Sequence, residues 1–344
     1  MSYSNEYNDI HHSEYLDAQT ISDNGQLNGV HRNPMMKEGK PLTCLDPSIQ
    51  TLHDTFMAGH QLSKDSNCLG WRADNESPYQ WMTYEEVLRK VKGFGSGLIR
   101  KGMKQKEFVG IFSQNRWEWK VTEQSCNSYS MAIVPLYDTL GREAVEYIVS
   151  HCELGTVVVD TAEKAKLLLS MQAEGKFKLK LLVHMCEKTE EVEGLAEANQ
   201  VELWKFDDLI KLGLEDEQDF IPPKPEDLHT ICFTSGTTGL PKGAMLSHRN
   251  LVSNICGVYV LGSRDFTRIG PDDVHVSYLP LAHVFERIMQ GIVFMRGASV
   301  GFFQGDIKLL LSDVGELRPT IFPMVPRLIN RMYDKITQVG GIFA

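Results

Sequence analysis

The amino-acid sequence predicts a doubly wound α/β fold, with mostly parallel sheets flanked by helices. Three observations carry that prediction. Short apolar runs alternate with segments of helical spacing along most of the chain. The apolar runs are continuous rather than alternating, as strands are when a sheet is covered on both faces. The chain has 344 residues, 42% apolar and 23% charged, enough for one large core or two smaller ones in an ordinary globular protein.

In chain order, residues 1–45 are polar and aperiodic and predict a mostly disordered lead-in, with His11 and His12 solvated rather than metal-bound. Order is expected from about residue 46. Thr83 followed by Glu86 fits a capping box. Tyr84, Val87, Leu88, Val91, Phe94 and Leu98 then repeat at helical spacing, and Gly102 can end that helix. FVGIF (108–112) reads as a buried strand, and NRWEWKVTEQSC as a helix capped by Asn115. MAIVPLY (131–137), TVVVD (156–160) and LKLLVHM (179–185) read as strands, separated by the helices REAVEYIVSHC (142–152) and AEKAKLLLSM. Residues 186–226 are acidic and less regular, end in a proline-rich stretch, and predict a connector. HTICFT then reads as a strand, and AMLSHRNLVSNICGVYVL as an extended start that becomes a helix with Ser247 as cap. VHVSYL, ASVGFF and TIFPMVP read as strands. LAHVFERIMQGIVFM and IKLLLSDVGEL are the intervening helices, and a last helix begins at Arg327.

Composition narrows the function. A formal net charge of −10 argues against a nonspecific DNA binder, so no nucleic-acid partner is expected. The seven cysteines are scattered without a CxxC pair, which predicts reduced, buried thiols in a cytosolic setting and no structural zinc. The N-terminus lacks the character of a signal or transit peptide, and no run approaches the roughly 18 apolar residues of a membrane span. Any membrane contact is therefore expected to be peripheral or through a partner.

The stretch TSGTTGLPKG (234–243) cannot build a core. It holds three glycines, four hydroxyl residues and one lysine, with no negative charge. Glycine lets backbone N–H groups approach a ligand closely, hydroxyls add donors, and Lys242 adds a point charge, which together suit phosphates. The plain alternative, a long surface turn, needs fewer glycines. The spacing is not that of a Walker A loop, because Pro241 stands five places after Gly236 and Gly243 follows Lys242. This disfavours a standard kinase or GTPase. A GxGxxG nicotinamide fingerprint is likewise missing from this stretch. On a helix starting near Leu281, the apolar face would be Leu281, Val284, Phe285, Ile288 and Ile292, and the opposite stripe His283, Glu286, Arg287 and Gln290. Alone, that stripe reads as a solvated polar face. Trp117 and Trp119 read as packing residues.

FTSGTTGLPKGAMLSHRN closely resembles the phosphate loop of adenylate-forming enzymes, and YLPLAHVFER (278–287) resembles that superfamily's next motif. IFSQNRWEW, IVPLYDTLG, GFFQGDIKLL and RPTIFPMVPRLINRMYDKI narrow the resemblance, from about residue 50 to about 336, to long-chain fatty acid–CoA ligases. The resemblance implies the N-terminal domain of that superfamily over residues 46–344 and a two-step reaction with ATP, Mg2+ and CoA. A long-chain fatty carboxylate would attack the α-phosphorus of ATP, and CoA would then take the acyl group. It implies that Thr234, Ser235, Gly236, Thr237, Thr238, Gly239 and Lys242 hold the phosphates. Thr238 would lie near the metal, and Lys242 and His283 would act catalytically. It also implies the cytosolic face of the endoplasmic reticulum or the mitochondrial outer membrane, or the cytoplasm if an anchor is missing. Measured against the family, the sequence lacks the later Tyr-Gly-x-Thr-Glu and Thr-Gly-Asp stretches and the small mobile C-terminal domain, and Trp117 replaces a frequent proline. The expectation is therefore a truncated N-terminal domain. A second expectation stands beside ligase activity: an inactive isoform or fragment that binds nucleotide, self-associates or pairs with a full-length relative.

Overall fold

The computed structural model describes residues 43–234, 240–265 and 269–340, together with four two-residue strands earlier in the chain. These are β1 (Glu14–Tyr15), β2 (Thr20–Ile21), β3 (Leu27–Asn28) and β4 (His31–Arg32), paired antiparallel as β1–β4 and β2–β3. The rest of the predicted lead-in, with His11 and His12, lies outside the described residues.

The main body opens with a helix that the periodicity did not announce, α1 (Leu52–Ser63). Thr51 and Asp54 close a reciprocal capping box at its start. Two further unannounced elements follow, β5 (Asn67–Trp71) and β6 (Gln80–Thr83). α2 (Tyr84–Arg100) then begins at the predicted Thr83–Glu86 box, and Gly102 leaves the helix with φ 89°, a left-handed turn that glycine adopts freely. The next elements follow the predicted alternation: β7 (Phe108–Phe112), α3 (Trp117–Ser128), β8 (Ala132–Leu136), α4 (Arg142–His151), β9 (Thr156–Val159), α5 (Ala162–Ala173) and β10 (Leu181–His184).

The predicted connector is structured. It carries α6 (Glu190–Ala198), β11 (Glu202–Lys205) and α7 (Phe206–Glu215), and only its proline-rich end stays extended. β11 lies at the rim of its sheet and is half-exposed, so its sequence need not be apolar. The remaining elements are β12 (Leu228–Thr234), β13 (Lys242–Ser247), α8 (His248–Asp265), β14 (Val274–Ser277), α9 (Val284–Met295), β15 (Ser299–Phe302), α10 (Leu310–Leu317) and α11 (Pro326–Gly340). Ser247 does cap α8, its Oγ accepting from the Asn250 N–H at 3.3 Å. TIFPMVP is not a strand: Ile321 alone forms a bridge, to His275, and prolines at 323 and 326 remove the donors a ladder needs.

Two sheets result. A seven-stranded sheet has the order β11-β10-β9-β7-β8-β12-β13, parallel except for the β12–β13 hairpin. Strand order runs outward in both directions from β7, which is the doubly wound pattern. A four-stranded sheet has the order β14-β15-β5-β6, parallel but for β5–β6. One apolar core packs α4, α5 and α6 on one face of the larger sheet, with Val134, Val145, Val157 and Leu182 at its centre. A second fills the space between the two sheets. There Phe94, Val109, Trp119, Ile133 and Val300 are all fully buried. Trp117 packs on Trp71 and Phe206, as expected of a structural aromatic. Of the cysteines, Cys68, Cys126, Cys152, Cys232 and Cys256 are buried, whereas Cys44 is half-buried and Cys186 exposed, so burial holds for five of the seven.

Candidate functional site

β12 and β13 form a hairpin whose last ladder pair is Thr234 opposite Lys242. Residues directly opposite in an antiparallel ladder share a face, so these two exposed side chains stand on the same side of the hairpin. The next pair on that face is Cys232 opposite Ala244. Of the predicted loop, Ser235, Gly236, Thr237, Thr238 and Gly239 lie outside the described residues. The structure does bring together the two ends of the loop, at the carboxyl end of a sheet strand, where open α/β sheets bind ligands.

His283 is not on the helix body as the sequence suggested. α9 begins one residue later, and His283 is its N-cap, in extended backbone with φ −88° and ψ 135°. Its Nδ1 accepts the Phe285 N–H at 3.2 Å. An Nδ1 used as acceptor leaves the ring proton on Nε2, so this exposed histidine presents an N–H donor outward.

α9 is covered on both sides: Leu281, Ile288 and Ile292 of the predicted apolar face are buried, and so is the predicted solvated stripe beyond His283. Glu286, Arg287 and Gln290 are 0%, 4% and 0% exposed, while Phe285 of the supposed apolar face is 43% exposed. The polar stripe is solvated by the protein rather than by water. His275 Nε2 donates to Glu286 Oε1 at 2.9 Å, and Gln290 Nε2 donates to the same oxygen at 2.7 Å and to Ser277 Oγ at 2.9 Å. Arg287 Nη2 donates to Cys232 Sγ at 2.6 Å, and its Nη1 lies 3.4 Å from His229 Nε2 and 3.8 Å from Glu123 Oε1. Glu123 also takes the buried Lys120 ammonium and lies 3.5 Å from His229. Burial alone would raise the Glu123 carboxyl, but Lys120, His229 and Arg287 outweigh it and hold it well below the usual range. Burial pushes His229 down despite Glu123, and pushes His248 and His53 down as well. The rings of His229 and His248 lie 5.1 Å apart, and His53 Nδ1 lies 3.0 Å from Ser128 Oγ, so these histidines knit α1, α3, α8 and β12.

Asn115 is also relocated. The N-cap of α3 is Arg116, with no side-chain cap bond. Asn115 instead bridges the sheets: its Nδ2 donates to Ser277 Oγ at 2.9 Å and Leu279 O at 2.7 Å, and its Oδ1 accepts the Leu281 N–H at 2.9 Å. It thus fixes the loop between β14 and α9 that ends at His283. Sequence reasoning missed this role, and missed Glu123 and Arg287 as partners, because no local spacing announces contacts between distant segments.

Two other places are poorer candidates. The crevice between β7 and β9, where strand order reverses, is filled. Gln114 N donates to Asp160 Oδ2 at 2.8 Å, Gln114 Nε2 donates to Asp138 Oδ2 at 3.0 Å, and Lys164 bridges both carboxylates. Asp138, which the sequence left without a role, is one jaw of this clamp. Burial pushes its carboxyl up, but the bonds from Lys164 and Gln114 prevail and lower it. A cavity of 720 Å³ is lined by Lys106, Lys180, Ile231, Phe233, Gly243 and Met245, among others. Phe233, Gly243 and Met245 belong to the other face of the hairpin, away from Thr234 and Lys242. Among the described residues no group of His, Cys, Asp or Glu is arranged to hold a metal ion, and the predicted Thr238 lies outside them. No helix among them is long and apolar enough to cross a membrane.

A profile of the family described as AMP-binding enzyme matches residues 63–340. Long-chain-fatty-acid–CoA ligase 1 of Homo sapiens is 46% identical over 312 residues, which cover 90% of this chain and 44% of that protein. Long-chain-fatty-acid–CoA ligase 5 of Rattus norvegicus is 42% identical over 324 residues, covering 93% of this chain and 47% of that protein. The chain spans about half the length of the curated relatives it matches. The adenylation domain of a carboxylate reductase from Mycobacterium chelonae superposes with a TM-score of 0.71 at 19% identity, over 85% of this chain and 48% of that one. At that identity the likeness concerns the fold alone.

Proposed function

The chain belongs to the AMP-binding enzyme family, and on that premise we propose that it is the nucleotide-binding part of a long-chain fatty acid–CoA ligase. The observation that carries the reading is the Thr234–Lys242 pair at the mouth of the glycine-rich turn, side by side on one face of the hairpin. That pair sets a cationic side chain and a hydroxyl at the rim of a loop rich in backbone donors, an arrangement suited to polyphosphate.

In this reading a fatty carboxylate oxygen attacks the α-phosphorus of ATP. The bond to the bridging oxygen breaks, and pyrophosphate leaves with its electron pair. Lys242 neutralises charge on the departing pyrophosphate. The sulfur of CoA then attacks the acyl carbon, and AMP leaves. His283, with its proton held on Nε2 by the helix cap, donates a hydrogen bond to an oxygen of the acyl-adenylate. The work asked of the protein is positioning and charge neutralisation, without an enzyme nucleophile. The described residues offer no ligand set for Mg2+, so no step is assigned to it.

The test is pyrophosphate release by the 344-residue chain with ATP, Mg2+ and palmitate, beside Lys242→Ala. Palmitate-dependent release that falls in the variant is the expected result. If ATP raises the melting temperature without any release, the chain binds nucleotide but does not turn it over. The absence of both release and stabilisation would overturn the reading.

A further inference from the structure

α9 and β12 carry the two halves of the candidate site, His283 at one end of the helix and Thr234 at the end of the strand. Among the described residues, the hydrogen bonds that join these two elements come from one side chain, Arg287, to Cys232 and His229. The geometry of that contact is specific. Cys232 precedes Thr234 by two residues and shares its face of β12, since strand side chains alternate. Arg287 follows His283 by four residues, one helical turn. The N-terminus of α9 is tied by Asn115 to the carboxyl end of β7, which runs parallel to β8 and, through it, to β12. One step up the strand and one turn back along the helix therefore lead from the Arg287–Cys232 contact to Thr234 and His283, at the same end of the sheet.

We propose that the Arg287–Cys232 hydrogen bond is a positioning contact that sets the phosphate-loop hairpin against His283. The hairpin needs such a tether. β13 is the outer strand of its sheet and is largely exposed, with Met245 68% exposed. Ile231 and Phe233 pack on one apolar core and Leu246, near the base of the hairpin, on another, which leaves the end that bears Thr234 and Lys242 exposed. The guanidinium is itself fixed by His229 and by Glu123, so it offers Cys232 a donor of defined place. Thr234 and Lys242 inherit that place through the ladder. The contact touches no substrate and acts through the hairpin.

The inference rests on the nucleotide reading above, and it is tested with a pair of ligands that separates the two. ATP carries the β- and γ-phosphates that the hairpin would hold, whereas AMP does not. Dissociation constants for both are measured by calorimetry for the 344-residue protein and for Cys232→Ala and Cys232→Ser. Alanine removes the acceptor and leaves the buried charges paired, so it avoids the folding defect that Arg287→Met invites. Cys232→Ala is expected to weaken ATP by about tenfold, the order of one lost hydrogen bond to a charged group, with AMP unchanged. Cys232→Ser keeps an acceptor and is expected to restore ATP to within about twofold of the unsubstituted protein. Equal weakening of ATP and AMP, no weakening of either, or failure of serine to restore ATP affinity would overturn the proposal. An unsubstituted protein that binds ATP no more tightly than AMP would overturn the phosphate-loop reading itself, and the tether with it.

Discussion

Asn115 makes three hydrogen bonds and connects the carboxyl ends of both sheets. Removing them together with Asn115→Ala leaves the Leu281 N–H and the Leu279 carbonyl without their partner. We expect a loss of about 2–3 kcal/mol, measured by urea denaturation. Asn115→Asp keeps the acceptor for Leu281 but loses the donor, so it should also destabilise. A change below about 0.5 kcal/mol, the usual range of a surface substitution, would refute this role. At this scale the sequence was legible where a residue acts on its own neighbours. Thr83 caps α2 and Gly102 ends it because those bonds span a few residues. Asn115, Glu123 and Arg287 were misread or overlooked because their partners stand up to 166 residues away. His283 was placed on the correct segment but on the helix body instead of at its cap, since a ring that caps a helix and a ring on its surface look alike in a sequence.

Among the elements, the helices α2 and α7 approach so closely that glycine is required between them. A Cβ on Gly213 would stand 1.8 Å from Gly93 O and 2.5 Å from Gly97 N. Alanine has a higher helix propensity than glycine by about 1 kcal/mol. Gly213→Ala should nonetheless destabilise, by about 3 kcal/mol or more, because backbone atoms cannot yield as a flexible side chain can. Gly194, inside α6, has nothing within 4 Å of the same construction. Gly194→Ala should therefore stabilise by about 0.5–1 kcal/mol. Chemical denaturation of both variants checks the pair, and equal signs would contradict the packing account. The strands of the larger sheet were legible because burial on both faces makes them apolar throughout, as in β8 and β9. β5 and β6 were not, since each is partly exposed and opens on a polar residue. The buried polar stripe of α9 shows a limit of periodicity: it finds a stripe but not whether the protein covers it.

At the scale of the whole molecule, three of the buried histidines among the described residues, His53, His229 and His248, have imidazoles that burial holds below the ordinary value. Below pH 6.5 an unfolded histidine takes up a proton that the folded one refuses. The unfolded state then binds more protons, so stability is complete above about pH 6.5 and falls as the pH is lowered, by at most about 1.4 kcal/mol per pH unit for each histidine. The melting temperature should accordingly drop between pH 7 and pH 5. A flat or rising profile over that interval would contradict it. The pairing of two separate sheets was not legible at this scale. Alternation predicts parallel strands, but it does not say that β5, early in the chain, enters a sheet with β15.

That strand order has a consequence during synthesis. Leu69 of β5 pairs with Val300 of β15, about 230 residues later. Every strand of the larger sheet has been made once Ser247 leaves the ribosome, yet the smaller sheet waits for Phe302. At usual elongation rates the gap is roughly 3–10 s. Through that interval the nascent chain holds β5 and β6 as a hairpin with one edge bare, and the side of α1 that packs on α9 is uncovered. This is the window in which a chaperone has something to bind.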